Sequence, residues 1–305
     1  MRIAVTGAGG RLGGAILRVI AAGSVSPAVA AVEALPWGRA ELDLDAPDSV
    51  GEHLDASQPD LVIHAAAWTD VDACALDPEL AVRRNGAATG VLAAAAAGRG
   101  VDLIAISTNE VFDGSAPGRP YQPADPPSPA NPYGASKLAG ERFAAEAYGG
   151  APGARGTLGI VRTAWLFGPG RPDFPTKIGL AARRAIQAGE PLRLVIDEIG
   201  TPTFVDDVAA AILDLALDGS FGGIHHVVNG GTASRAEWGR DILRRLELPV
   251  DVVEVSLADF ARPSRPPRWG VLAPTPLPGG RVLRPWSEAM AAYLPALRES
   301  VTMAS

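Results

Sequence analysis

The chain opens MRIAVTGAGGRLGG, so that an apolar run, Ile3-Ala4-Val5, passes directly into Gly7, Gly10 and Gly13 in Gly-x-x-Gly-x-x-Gly spacing. A strand, a glycine turn and a helix in that order restrict the fold more than any other stretch. The turn lets backbone N–H groups and a helix N-terminus approach a pyrophosphate, because a β-carbon at these points would obstruct the ligand or the helix–strand packing. The helix is supported by residues 11–23, where Leu12, Ile16, Val19 and Ile20 share one face and Gly23 supplies a stop. A glycine pattern alone is weak evidence. At the first strand–helix junction of an alternating chain it predicts dinucleotide binding.

That alternation continues. Strands are expected at 28–34, 60–67, 101–108 and 159–168, and helices near 47–55, 78–98 and 132–147. Strands apolar on both faces, alternating with helices, specify a parallel sheet covered on both sides. The second half is less regular, with helices at 173–189, 205–219 and 234–248 and strands at 192–196, 225–231 and 250–256; residues 257–285 are crowded with Pro, Arg and Gly and show little periodicity. An aperiodic stretch of that length reads as a binding segment or as disorder. The predicted class is α/β: a Rossmann-type doubly wound parallel sheet with a smaller, discontinuous C-terminal substrate-binding domain. The dinucleotide domain is drawn as 1–168 with 194–221 returning to it, and the substrate domain as 169–193 and 222–305.

Composition excludes several classes. A net charge of −7 argues against a general nucleic-acid binder, which needs a cationic surface to displace counterions. No apolar run reaches the roughly 18–20 residues of a membrane span, and the first residues lack the order of a secretory signal. With Cys74 as the one cysteine, no intramolecular disulfide forms, and a reducing cytoplasm is the expected location. The four histidines lack metal-ligand spacing, so no metal is expected. The expected state is a monomer or homodimer.

Only Lys137 and Lys177 are lysines in a chain rich in arginine. Lys137 stands four residues after Tyr133, which places both on one helical face. Asn131 is a good N-cap and Pro132 a good first helical residue, so Tyr133 lies close to a helix start. A neighbouring ammonium is expected to lower the phenol's pKa and bring it into service as a proton donor or acceptor near neutrality. Thr108 ends an intervening strand and completes a carbonyl-reduction set. In it Thr108 bonds the carbonyl, Tyr133 delivers the proton, and Lys137 holds the cofactor ribose and polarises Tyr133. For the cofactor, Glu33 suits a ribose 2′-hydroxyl whereas Arg11 and Arg39 suit a 2′-phosphate. NADPH is favoured, with NADH as the alternative. Asp43 is placed near the adenine, Ala65, Ala66 and Ala67 leave room for the nicotinamide ribose, and Leu12 and Leu44 join the cofactor contacts.

From residue 1 to about 245 the chain resembles the extended short-chain dehydrogenases, and within them the dTDP-4-dehydrorhamnose reductases. The resemblance is carried by TGAGGRLG, HAAAWTDVDACALDPELAVRRN, STNEVFDG, NPYGASKLAGE, RTAWLFG and DEIGTPTFVDDVA. DEIGTPT looks like the Asp-Gln-x-Gly-x-Pro-Thr signature of that subgroup. The resemblance implies NAD(P)H-dependent reduction of the keto group of a nucleotide-activated deoxy sugar. It assigns Thr69, Val71, Asn109, Glu110 and Trp165 as substrate contacts and puts Asn85 on a helix supporting the site. The RPSRPP run resembles an Arg-Pro loop near the nucleotide diphosphate and offers Arg262, Arg265 and Arg268, of which Arg265 is preferred. There are departures: the family's Ser-Thr-Asp-Tyr-Val-Phe is here Ser107-Thr108-Asn109-Glu110-Val111-Phe112, and RWGVLAPT lacks the usual Ser-x-Leu ending. The resemblance implies dTDP-4-dehydrorhamnose as substrate, and the departures widen the expectation to a related dTDP-4-keto-6-deoxy sugar or a dTDP-streptose-like aldehyde. Two other readings are a nucleotide-sugar epimerase or dehydratase, which Glu110 supports, and a non-catalytic dinucleotide-binding regulatory subunit.

Overall fold

A computed structural model of the chain describes residues 1–23, 31–149 and 155–303. Its elements in order are β1 Arg2–Thr6, α1 Arg11–Ala22, β2 Glu33–Trp37, α2 Val50–Ser57, β3 Leu61–His64, α3 Val71–Leu76, α4 Pro78–Ala81, α5 Ala88–Ala97, β4 Asp102–Thr108, α6 Pro132–Gly149 and β5 Leu158–Thr163. There follow β6 Leu166–Phe167, α7 Phe174–Ala188, β7 Leu192–Val195, β8 Ile199–Gly200, β9 Thr203–Phe204, α8 Val205–Asp218, β10 Gly223–His226, β11 Ala233–Ser234, α9 Arg235–Leu246, β12 Val252–Val255 and α10 Trp286–Met303.

The main sheet has six strands in the order β10-β5-β4-β3-β1-β2, and every pairing in it is parallel. Both faces are covered. Ile3, Val5, Ile63 and Val161 pack with α1 and α8 on one side, while Ala4, Val62 and Leu103 pack with α2 and α5 on the other. Residues alternating along β1 and β3 thus bury opposite faces, as a doubly covered sheet requires. From β1 the chain runs outward to β2 and then returns to place β3 on the opposite flank, which opens a crevice at the carboxyl ends of β1 and β3.

A further cluster joins α7, α9 and α10 around Trp238, Phe167, Ile242, Tyr293 and Leu297. Two boundaries drawn from the sequence are corrected here. Residues 223–226, assigned to the smaller domain, form the edge strand of the large sheet beside β5. Leu194 and Val195, assigned to the nucleotide domain, pair with β12 instead. Residues 28–30 of the expected second strand lie outside the described residues, and β2 begins at Glu33. The single strand expected over 159–168 is interrupted, because Trp165 adopts φ 42° between β5 and β6. The helix expected over 78–98 is α4 and α5 joined by a π-type turn at Val82–Ala87. The Pro-rich stretch is pinned by bridges of Trp269 to Ile199 and Leu272 to Tyr121, and α10 had no sequence expectation at all.

Candidate active site

The glycine turn is closed by the Gly10 N–H donating to Gly7 O at 2.7 Å. Its fit is close: a Cβ on Gly13 would lie 2.3 Å from Gly7 O, and one on Gly7 would meet Ala66 Cα at 2.9 Å. The α1 N-terminus has no side-chain cap and no acidic residue in its first turn. Its first N–H groups and the positive end of its dipole therefore face the β1/β3 crevice without an internal counter-charge, and this cradle suits a pyrophosphate.

Around the turn the expected nucleotide contacts divide. The Ala8 N–H donates to Trp37 O, so the end of β2 lies against the glycine loop. Gly38 and Arg39 follow directly, and the Glu41 carboxylate accepts the Gly38 N–H at 2.8 Å. Arg39 is exposed and ion-paired to Asp43 and Asp45, which also occupies the Asp43 carboxylate. Two of the side-chain roles expected toward the ribose are corrected. Glu33 sits at the start of β2, paired to Arg2; at ~3.3 Å per residue the strand carries it more than 10 Å from the loop. The Arg11 guanidinium is engaged elsewhere, donating to the carbonyls of Gly168 and Arg171 and ion-pairing with buried Asp173, so it is the backbone of Arg11, first residue of α1, that stays with the cradle. Leu12 is buried in the core, and Leu44 packs against the other face's cluster.

Ala65, Ala66 and Ala67 follow β3 and are fixed from below. The Ala66 N–H donates to Thr6 Oγ1 at 3.1 Å, and Thr6 Oγ1 lies 2.8 Å from His64 Nδ1. His64 Nε2 is 3.0 Å from Thr89 Oγ1, whose own proton goes to Asn85 O. Thr89 therefore accepts from Nε2–H, and the network assigns a neutral imidazole with Nδ1 accepting from Thr6. Burial, with the Lys137 charge adding, pushes the His64 pKa down to about 3. Asn85 lies inside the π-type turn, a distortion common at functional sites. Its Oδ1 accepts from Trp68 N at 2.7 Å, and its Nδ2 donates to Trp68 O and Ser136 Oγ, both at 3.0 Å. It thereby ties the loop after β3 to α6.

Helix α6 begins as its sequence requires, with Asn131 Oδ1 accepting the Gly134 N–H at 2.8 Å and Pro132 following the cap. Thr108 ends β4 and is buried; its hydroxyl accepts the Glu110 N–H at 3.2 Å and lies close enough to the Tyr133 phenol to act on its pKa. Lys137 lies one turn further along α6; its Nζ has no hydrogen bond among the described residues, although the side chain is buried. Thr108, Tyr133 and Lys137 therefore meet at the carboxyl edge of the sheet. The phenol does not behave as expected from the neighbouring lysine. Burial first, then the charge of Glu110, push its pKa well above the usual tyrosine value, opposed by the neighbouring Thr108 hydroxyl. Burial lowers Lys137 to about 8, opposed by Glu141. At neutral pH the phenol is protonated and the amine charged.

Of the expected substrate contacts, Asn109 and Glu110 form the turn after Thr108. Asn109 Nδ2 is buried without a partner among the described residues. Burial raises the Glu110 pKa, and Asn131 Nδ2 donates to its Oε2 at 2.5 Å. The same Asn131 amide reaches Arg265 O at 3.3 Å, which draws the Pro-rich loop over the start of α6. Thr69 is exposed and Val71 half-buried at the N-terminus of α3. Arg262 pairs with Asp72, and Arg268 with Asp197 at 3.5 Å; the Arg265 side chain has no partner among the described residues. Trp165 lies two residues past Thr163, the register partner of Thr108.

Beneath the site is a buried set that the sequence reading missed. Ser107 Oγ donates to Glu141 Oε1, and Arg162 forks onto both Glu141 oxygens at 2.9 and 2.6 Å. Glu141 follows Lys137 by four residues, so its place on the reacting face of α6 was available from spacing alone; Arg162, on β5, had no such signal.

The family model described as RmlD substrate binding domain matches residues 1–299. A protein of Streptomyces griseus named dTDP-4-dehydrorhamnose reductase is 36% identical over 301 residues, covering 96% of this chain and 93% of that protein. The crystal structure of a dTDP-4-dehydrorhamnose reductase from Clostridium acetobutylicum superposes with a TM-score of 0.85 at 31% identity, covering 98% of this chain and all of that one. A dTDP-4-dehydrorhamnose reductase from Bacillus anthracis in complex with NADP gives 0.84 at 29% identity, covering 97% and 99%.

Proposed function

The chain belongs to the RmlD substrate binding domain family, and from that premise we propose that it reduces the keto group of a dTDP-linked 4-keto-6-deoxy sugar with NADPH, NADH serving as the alternative. The observation that carries the reading is the meeting of Thr108, protonated Tyr133 and charged Lys137 beside a glycine cradle shaped for a dinucleotide. We propose dTDP-4-dehydrorhamnose as the first substrate to test. No helix among the described residues is long and apolar enough to cross a membrane.

When bound, the dihydronicotinamide supplies the hydride. Gly7, Gly10 and Gly13 admit its pyrophosphate, the end of β2 with Arg39 receives the adenosine side, and Lys137 Nζ holds the nicotinamide ribose hydroxyls. The Thr108 hydroxyl donates to the sugar's carbonyl oxygen. Tyr133 then gives its phenolic proton to the oxygen as negative charge develops there. A phenol held protonated suits this direction, since the reaction begins with an acid and not with a phenolate. The ammonium of Lys137 stabilises the phenolate left behind. The cluster of α7, α9 and α10, together with the Pro-rich loop, is proposed to receive the sugar and diphosphate, with Arg265, whose side chain has no partner among the described residues, as a cation for the diphosphate.

The test is consumption of NADPH in the presence of dTDP-4-keto-6-deoxyhexoses. Tyr133→Phe should lower kcat by about 10²- to 10⁴-fold with NADPH binding intact. A wild type that binds NADPH yet turns over no dTDP-linked keto sugar would refute the reading.

A further inference from the structure

Next to Trp165 stands an ion pair that the steps above leave unused. Arg235, the first residue of α9, donates through Nε and Nη2 to the same Glu198 oxygen, Oε1, at 3.0 and 2.8 Å. Its backbone N–H also donates to Glu198 O at 3.1 Å, so the two residues are held by main chain and side chain together. The guanidinium carbon lies 3.5 Å from the Trp165 ring centroid and 5.0 Å from that of Phe174. The indole is itself confined. Trp165 adopts a left-handed φ, and a Cβ on Gly200 would lie 2.5 Å from its ring.

Two features point beyond packing. The pair is incompletely used: Nη1 of Arg235 and Oε2 of Glu198 carry no hydrogen bond among the described residues, where a fork-on-fork arrangement would have engaged both carboxylate oxygens. The Glu198 side chain is 6% exposed and that of Arg235 21%, so the guanidinium keeps the wider opening of the two. A buried ion pair is also a weak source of stability, because desolvation offsets much of its attraction. Here the acid stands in DEIGTPT at a position where the signature it resembles has the neutral Gln. A charge that adds little to folding, supplied with its own counter-ion and stacked on an aromatic side chain assigned to the substrate, fits a recognition role.

We propose that Arg235 is a specificity-determining residue of the sugar pocket, presenting Nη1 to a hydroxyl oxygen on the substrate's hexose ring while Glu198 and Trp165 fix its direction. The proposal rests on the reading of Trp165 as a substrate contact. A guanidinium only donates, so the sugar atom it meets must be an acceptor, and the C2 and C3 hydroxyls are the candidates that a 4-keto-6-deoxyhexose offers.

The experiment compares kcat/KM for a dTDP-4-keto-6-deoxyhexose and for its 2-deoxy and 3-deoxy analogues in wild type, Arg235→Gln and Arg235→Lys, with NADPH affinity measured for each. Wild type should lose about tenfold to a hundredfold on one deoxy analogue. Arg235→Gln should lose the same factor on the parent sugar and almost nothing further on that analogue. Arg235→Lys, which keeps the charge without the planar fork, should fall between them, and it supplies the readout if the glutamine variant does not fold. NADPH affinity should be unchanged throughout. Equal losses on all three sugars would mark Arg235 as a packing residue and overturn the proposal, as would no loss on any. A wild type silent on every keto sugar would instead remove the underlying reading, and the proposal with it.

Discussion

Gly134 gives the sharpest test of how the catalytic helix is seated. It follows Tyr133 directly, and helix propensity alone predicts that Gly134→Ala should stabilise α6 by up to about 1 kcal/mol. The packing predicts the opposite. A Cβ there would lie 1.9 Å from the Glu110 carbonyl oxygen, 2.7 Å from its carbonyl carbon and 3.1 Å from Pro129 Cβ. An ordinary carbon–oxygen contact needs roughly 3.3 Å, so the start of α6 and the turn after β4 must separate by more than about 1 Å. Overpacking of this kind costs about 1–3 kcal/mol, which outweighs the propensity gain. The displacement also falls on the two segments that carry Tyr133 and Thr108, and a misplacement of about 1 Å costs on the order of 10²-fold in rate. Gly134→Ala should therefore melt lower and lose about a hundredfold in kcat at saturating NADPH, with NADPH affinity near that of wild type. Gly149, at the far end of the same helix, is the control, because a Cβ there meets nothing within 4 Å and Gly149→Ala should be neutral or mildly stabilising. A Gly134→Ala protein as active and stable as wild type would refute the reasoning.

Arg162→Ala leaves the Glu141 carboxylate buried without its counter-ion and should cost about 3–5 kcal/mol, read from the shift of the urea midpoint; a loss below about 1 kcal/mol would mean that the pair is solvated. His64 remains neutral when folded down to about pH 3, whereas the unfolded imidazole takes up a proton below its ordinary value near 6.5. Its contribution is nil above that value and destabilising as pH falls, by about 2 kcal/mol between about pH 6.5 and 5, and that slope should be absent from a His64→Asn variant measured alongside. Arg39→Ala should weaken NADPH about tenfold relative to NADH, since a charge-assisted hydrogen bond to the 2′-phosphate is lost; an unchanged ratio of the two KM values would exclude Arg39 from the cofactor site.

The sequence by itself determined what local pattern can encode. Ile3 to Gly13 specified a strand, a turn and a helix through burial period and glycine spacing, and the structure forms that unit at the β1/β3 crevice. Tyr133 and Lys137 were legible because four residues make one helical turn, and Asn131 because capping is a local preference. The family resemblance, too, is carried by short motifs. What tertiary structure alone decided was distance between remote residues. Glu33 and Arg11 have suitable side-chain chemistry, but β2 holds the first at its wrong end and Asp173 engages the guanidinium of the second. The protonation of Tyr133 follows from burial and from Glu110, twenty-three residues earlier, rather than from the lysine one turn away. Arg235 comes to rest on Trp165 through the pairing of β11 with β8, and no period or motif in either segment announces it. Hydrophobic period and capping act within a turn or two of chain, whereas desolvation, ion pairing and aromatic stacking depend on which surfaces the completed fold brings into contact.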